Sequence, residues 1–450
     1  MAVLKASKVG EWAVLLYLLA TYVPQFLLHV FDEDALMERF RIGSGTQVFA
    51  VFVPLFYLLV LAIQKWFPRV SVGGRLLAQV LARLYGSRLN TLLGLGLVAL
   101  AANFMLTEGV QFRQTGDIMS EAGVGAAAMM FSKPYIAAWV LYHYLLMMRR
   151  EIARPRRARL QALLFLVALI LSVTSAFDII PIAWTTIFTL GGPKRTRPLL
   201  VASSPIRMSF RRLLLAVFLA PLLACVCVVM IFVGYVNKTG YDALGGVVER
   251  IGYVQILETT AVRLSSSYAA LIAFVHNNLY NPSLYEQIAA VPLENVPYRL
   301  SLIMGSPLPR PEITQIARLN FLNYEQDPGL DRAGASPGLV ASALYAGPFP
   351  LGFLLMAGYV VIIIRIANVP FRSVAAQPRL GAIAVCASFI YPLFETPVDY
   401  LVFIDPAFLQ LLLVLGAFLA AGLGRPAATL AAERRASARS EVTRASGTSP

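Results

Sequence analysis

The sequence predicts an all-α, polytopic membrane protein with about ten transmembrane helices, both termini cytoplasmic and one long polar segment on the outer side. Three observations carry that prediction. Of 450 residues, 58% are hydrophobic and only 14% charged, whereas soluble domains carry about 25% charged residues; the mean hydropathy is +0.69. Apolar runs recur at about the 20-residue length that a hydrocarbon core of about 30 Å requires. The formal charge of +14 is carried by Lys and Arg placed between those runs and in the C-terminal tail, which is the distribution of cytoplasmic loops rather than of a nucleic-acid-binding face.

The first span, Trp12 to Phe31, follows Lys5 and Lys8 and precedes the acidic run Asp32-Glu33-Asp34, so its N-terminal end is expected inside. It is long enough to cross and has no small-residue cleavage site, so no cleavable leader is expected. The second span, about Val48 to Phe67, returns to Lys65, Arg69, Arg75, Arg83 and Arg88. Between Arg75 and Arg88, apolar and basic residues recur at helical spacing, which predicts a helix lying on the inner surface.

The third and fourth spans, about Leu89 to Val110 and Val124 to Met148, lead out and back, with Lys133-Pro134 interrupting the latter. A charge at that depth costs on the order of 3 kcal/mol on insertion scales, so Lys133 is expected to face a cavity or to reach the outer interface. Leu160 to Gly192 would make a single helix of about 50 Å, too long for the bilayer. Two short crossings turning near Ser175-Ala176-Phe177-Asp178 are therefore expected. The seventh span is about Leu213 to Val236, the eighth Leu339 to Ile366, the ninth Leu380 to Leu393 and the tenth Phe408 to Leu423. The chain thus divides into spans over residues 1–236, an outer segment over 237–338, further spans over 339–424 and a disordered basic tail over 425–450. Cys225, Cys227 and Cys386 lie in apolar runs and read as packing residues; no metal site is expected.

Asn237 to Gly334 is the one long stretch between spans with enough charge for chemistry. Leu257, Ala261, Leu264, Tyr268, Leu271, Val275 and Leu279 recur at spacings of three and four, which predicts an amphipathic helix at the membrane surface. Pro282, Pro292, Pro297, Pro307, Pro309 and Pro311 predict a largely extended run. Arg250, Arg263, Arg299, Arg310 and Arg332 imply an anionic ligand, because guanidinium forks bind phosphate oxygens bidentately. Neighbouring carboxylates such as Glu249, Glu286, Glu294 and Asp327 are alternative partners for them. The small residues of Gly334-Ala335-Ser336-Pro337-Gly338 are expected to leave helix-start N–H groups free for an anion. Gly347 to Gly352 is expected to bend or restart the helix, giving a short re-entrant helix before the eighth span.

At these residues the chain resembles the Wzy-type polysaccharide polymerases, the O-antigen and enterobacterial common antigen-like repeat-unit polymerases of the bacterial inner membrane. The likeness lies in the order of crossings, the long outer segment, Pro297-Tyr298-Arg299 to Pro307-Leu308-Pro309-Arg310-Pro311, and Gly334-Ala335-Ser336-Pro337 leading to Leu351-Gly352. The architecture covers nearly the whole chain and the motifs about 80 residues. The resemblance implies a GT-C-like fold and glycosyl transfer at the periplasmic face, inverting and without metal or other cofactor. The growing glycan on undecaprenyl diphosphate would pass to a sugar hydroxyl of an incoming lipid-linked repeat. Implied partners are the undecaprenyl-diphosphate-linked oligosaccharide, the bilayer, a chain-length regulator and a lipid-linked oligosaccharide flippase.

Carried onto this chain, diphosphate binding falls to Arg263, Arg310 and Arg332, with Arg250 and Arg299 in reserve. The proton acceptor is Asp331, Glu258 or His276; His276 also reads as an ordinary polar helix end. In one respect the chain departs from the pattern: the family often has a Gly/Ser-Arg pair near the outer end of the fifth crossing, where Ser175-Ala176-Phe177-Asp178 stands here. Two other functions remain open, a ligase-like transferase governed by the same physics and a multi-pass transporter or flippase of lipid-linked glycans. Transporters usually carry internal repeats, and none is visible in this sequence. A non-catalytic assembly partner for polysaccharide export is a further alternative.

Overall fold

The computed structural model describes residues 8–31, 45–66, 75–108, 123–148, 155–172, 179–191, 266–277, 281–304, 308–325, 336–371, 380–395, 397–401 and 406–423, with positions 279 and 306. Those residues are mostly helical, and no strand occurs among them. The helices are α1 (Val9–Phe31), α2 (Thr46–Trp66), α3 (Arg75–Tyr85), α4 (Leu89–Glu108), α5 (Gly123–Met148), α6 (Pro155–Leu171) and α7 (Ile179–Gly191). They continue with α8 (Ser266–Asn277), α9 (Pro282–Ile303), α10 (Ile316–Glu325), α11 (Gly338–Tyr345), α12 (Leu351–Ala367), α13 (Leu380–Glu395) and α14 (Pro406–Leu423). Three stretches among the described residues are long and apolar enough to cross a membrane: Gln47–Trp66, Leu89–Leu106 and Leu351–Phe371. The expected seventh span, the basic tail, Cys225, Cys227 and the Ser175–Asp178 turn lie outside the described residues.

One apolar core runs through the bundle, with Tyr22, Phe56, Trp139, Phe165, Phe274, Tyr345 and Phe353 in it. Helices α6 and α7, which take up most of Leu160 to Gly192, pack against each other. Cys386 is buried and free, a packing residue. Lys133 lies within α5 and is half-buried.

An unpaired polar group away from water costs about 1–3 kcal/mol, and in one cluster polar side chains of the bundle meet polar partners. At the N-terminal end of α1, Glu11 accepts from Gln64 Nε2 at 2.6 Å and from Asn368 Nδ2 at 2.8 Å. Asn368 Oδ1 in turn accepts from the Gly10 N–H at 2.8 Å, and Arg365 donates to the Gln64 carbonyl. This cluster fastens α1, α2 and the end of α12 to one another.

Two expectations about the outer segment need correction. The first concerns the run from Pro282 to Pro311, which is not largely extended: Pro282–Ile303 is a helix with Pro292 and Pro297 inside it. Leu284, Ile288, Val291, Asn295 and Tyr298 are buried at helical spacing, and that stripe outweighs the roughly 3 kcal/mol each internal proline costs. Pro297 is exposed and Pro292 half-buried. The second concerns α8, which is not a surface amphipathic helix. Every residue from Ser267 to Phe274 is buried, because α8 is enclosed by α1, α2, α10 and α11.

Candidate functional site

Helices α8, α10 and α11 are fastened to the rest of the bundle by side chains reaching helix termini from far along the chain. A helix leaves its first four N–H groups and last four carbonyls without internal partners. At the start of α8, the Tyr268 N–H donates to Gln25 Oε1 at 2.8 Å. The Ile316 N–H, at the start of α10, donates to the buried carboxylate of Asp399 at 2.7 Å. At the start of α11, the Val340 N–H donates to the Tyr22 hydroxyl at 3.0 Å. The last carbonyls of α13 are met in the same way. Leu393 accepts from the Tyr359 hydroxyl at 3.0 Å, Phe394 from the Tyr17 hydroxyl at 3.0 Å, and Glu395 from Ser336 Oγ.

These caps decide what the entrance of α11 can do. All eight residues of α11 are buried, and its opening N–H groups do not stand free for an anion as the sequence led us to expect. Val340 is taken by Tyr22, and the Gly338 N–H lies 3.4 Å from Ser336 Oγ. Burial is the physical reason: donors without water must find protein acceptors. The expected break after α11 is present, since Ala346 to Pro350 is non-helical and α12 begins at Leu351. Gly338 makes the entrance possible. Its φ is +66°, and a Cβ there would lie 2.6 Å from the Ser267 side chain and 2.9 Å from the Tyr22 hydroxyl.

A polar layer lies beside α11. The Tyr345 hydroxyl donates to Asn320 Oδ1 at 2.9 Å and accepts from Asn323 Nδ2 at 3.2 Å. Its ring meets Phe274 edge-on at 4.7 Å between centroids, so the layer spans α8, α10 and α11. Arg318 stands on the same short helix as the two asparagines, is 9% exposed, and has its guanidinium carbon 5.4 Å from the Phe321 ring centre. Sequence reasoning assigned Arg318 no role. Its burial has no local signature, because it arises from how α10 packs against α8 and the turn Pro397–Leu401.

Of the residues assigned from sequence, Arg299, Arg310 and His276 are described. The chain after α9 folds back along it: the Leu308 N–H donates to Ser301 Oγ at 2.9 Å, and Asn295 Nδ2 donates to the Ile313 carbonyl at 2.8 Å. These two bonds bracket both arginines, so Arg299 on α9 and Arg310 on the returning strand of chain share one level of the fold-back. Arg299 is half-buried, with its guanidinium carbon 6.0 Å from the Tyr298 ring centre, and Arg310 is exposed. His276 is exposed in the last turn of α8. Arg250, Glu258, Arg263, Asp331 and Arg332 lie outside the described residues. Among the described residues no group of three or more His, Cys, Asp or Glu side chains is placed to hold a metal ion.

The chain matches no protein-family model, no curated protein and no solved structure.

Proposed function

We propose that the chain polymerises lipid-linked oligosaccharide repeats at the periplasmic face of a bacterial inner membrane, by glycosyl transfer with undecaprenyl diphosphate as leaving group. The observation that carries this reading is the placement of guanidinium groups in the outer segment. Arg299 and Arg310 stand at one level of a fold-back, and Arg318 is nine-tenths buried on α10. A buried guanidinium acts in a low dielectric, where its attraction for a phosphate oxygen is stronger than in water.

In the proposed reaction, a sugar hydroxyl of the incoming repeat attacks the anomeric carbon of the growing chain. The bond from that carbon to the diphosphate oxygen breaks, the hydroxyl proton passes to Asp331, Glu258 or His276, and undecaprenyl diphosphate departs. Arg263, Arg310 and Arg332, with Arg250, Arg299 and Arg318 in support, stabilise the charge that grows on the leaving diphosphate, a task metal ions perform elsewhere. The test is deletion of the gene followed by gel analysis of surface glycans. Single-repeat products in place of ladders are expected, with ladders restored by the unaltered chain but not by Arg263→Ala or Arg332→Ala. Unchanged ladders in the deletion strain would remove the assignment. Loss of every repeat, including single ones, would favour a flippase instead.

A further inference from the structure

Helix α3 carries apolar residues on both sides: Leu81 and Ala82 pack with Tyr85 against the core, while others face away from it. Its inward face is Ala78 and Tyr85, both 0% exposed, with Ala78 packed against Val369 and Leu419. Its outward face is Leu76, Leu77 and Val80, which are 75%, 54% and 54% exposed, and Arg83, also exposed. Positions 76, 80 and 83 share one side of a helix, so the outward face is leucine and valine with a guanidinium among them.

The helix is held firmly in that pose. The Tyr85 carbonyl accepts from Trp139 Nε1 at 3.1 Å and from Asn90 Nδ2 at 2.8 Å, and Asn90 Nδ2 also reaches the Leu84 carbonyl at 3.0 Å. Tyr135 donates to Asn90 Oδ1, and Gln161 Nε2 donates to the Ser87 carbonyl at 2.9 Å. The turn that presents Arg88 is therefore tied to α5 and α6, and Arg88 is exposed. Charge is one-sided here as well. From Lys65 to Thr107 the sequence contains no Asp or Glu, while Lys65, Arg69, Arg75, Arg83 and Arg88 fall within it.

We infer that the outward face of α3, with Arg88, is a binding site for an anionic phospholipid of the inner leaflet. Leu76, Leu77 and Val80 sit among the acyl chains, and Arg83 and Arg88 take the headgroup phosphate. An apolar face alone would accept any lipid, and exposed arginines alone would accept any anion. Their combination on one helix and the turn that ends it selects a molecule that is both.

The test titrates the full chain, purified in a neutral detergent, with short-chain phosphatidylglycerol and with phosphatidylcholine of the same chain length, counting bound lipids by native mass spectrometry. Phosphatidylglycerol is expected to bind more tightly than phosphatidylcholine, and the double variant Arg83→Gln/Arg88→Gln is expected to weaken it roughly 30-fold, from about one basic-residue contribution per arginine at an anionic surface. Phosphatidylcholine, whose phosphate charge is balanced by its choline, should be affected much less by the double variant. Equal binding of the two lipids to the unaltered chain, a comparison that needs no variant to fold, would overturn the inference. So would undiminished phosphatidylglycerol preference in the double variant, or inorganic phosphate competing as well as the lipid does.

Discussion

Replacing Gly338 with alanine tests how α11 is fastened to the bundle. The residue stands at the entrance of α11 with φ +66°, a conformation that costs an L-residue about 1–2 kcal/mol. The added Cβ would lie 2.6 Å from the Ser267 side chain and 2.9 Å from the Tyr22 hydroxyl, closer than such atoms approach. Relieving that overlap adds roughly 1–3 kcal/mol of overpacking. Moving Tyr22 also weakens its bond to the Val340 N–H, worth about 1 kcal/mol. The sum is a loss of about 3–6 kcal/mol, to be read from thermal unfolding of the full chain in detergent. Gly358→Ala is the internal control: it lies within α12, nothing stands within 4 Å of its added Cβ, and alanine favours a helix over glycine by up to about 1 kcal/mol. It should unfold at the wild-type temperature or slightly above. Gly338→Ala unfolding with the wild type, or Gly358→Ala losing as much as Gly338→Ala, would refute the reasoning.

Three further substitutions probe the polar layer. Tyr345→Phe removes the donor to Asn320 and the acceptor for Asn323, and should cost about 1–3 kcal/mol in the same unfolding assay by leaving buried amide atoms unpaired. Asp399→Ala strips the carboxylate from the start of α10; about 1–2 kcal/mol should be lost, with hydrogen exchange rising first over Ile316–Glu325. Arg318→Ala should leave the protein in the membrane at its normal level while the surface glycan ladder shortens to single repeats. Full-length ladders from that variant would remove Arg318 from the leaving-group site.

Features governed by local physics were legible in the sequence. The split of Leu160 to Gly192 into α6 and α7 follows from helix rise against bilayer thickness, and the alternating leucines and arginines of Arg75 to Arg88 mark α3. The break between α11 and α12 follows from Gly347, Pro348 and Pro350, which cannot continue a helix in place. What was not legible arises at a distance. The prolines of α9 argue locally for extended chain, and only the burial of Leu284, Ile288, Val291, Asn295 and Tyr298 reverses that. The capping groups Gln25, Tyr22 and Asp399 lie 243, 318 and 83 residues from the N–H groups they meet, so no window of sequence pairs them. Arg318 is one arginine among many until α10 is packed. His276, taken as a candidate base, is exposed at a helix end, whereas Asp399, assigned no role from sequence, is buried at a helix start.

Glycosyl transfer is measured most directly with the purified full chain and a polyprenyl-diphosphate-linked oligosaccharide repeat, without added metal. Products two, three and more repeats long are expected, each new linkage matched by one released polyprenyl diphosphate. A chain that binds the lipid-linked repeat yet neither lengthens the glycan nor releases the diphosphate would contradict the proposed function.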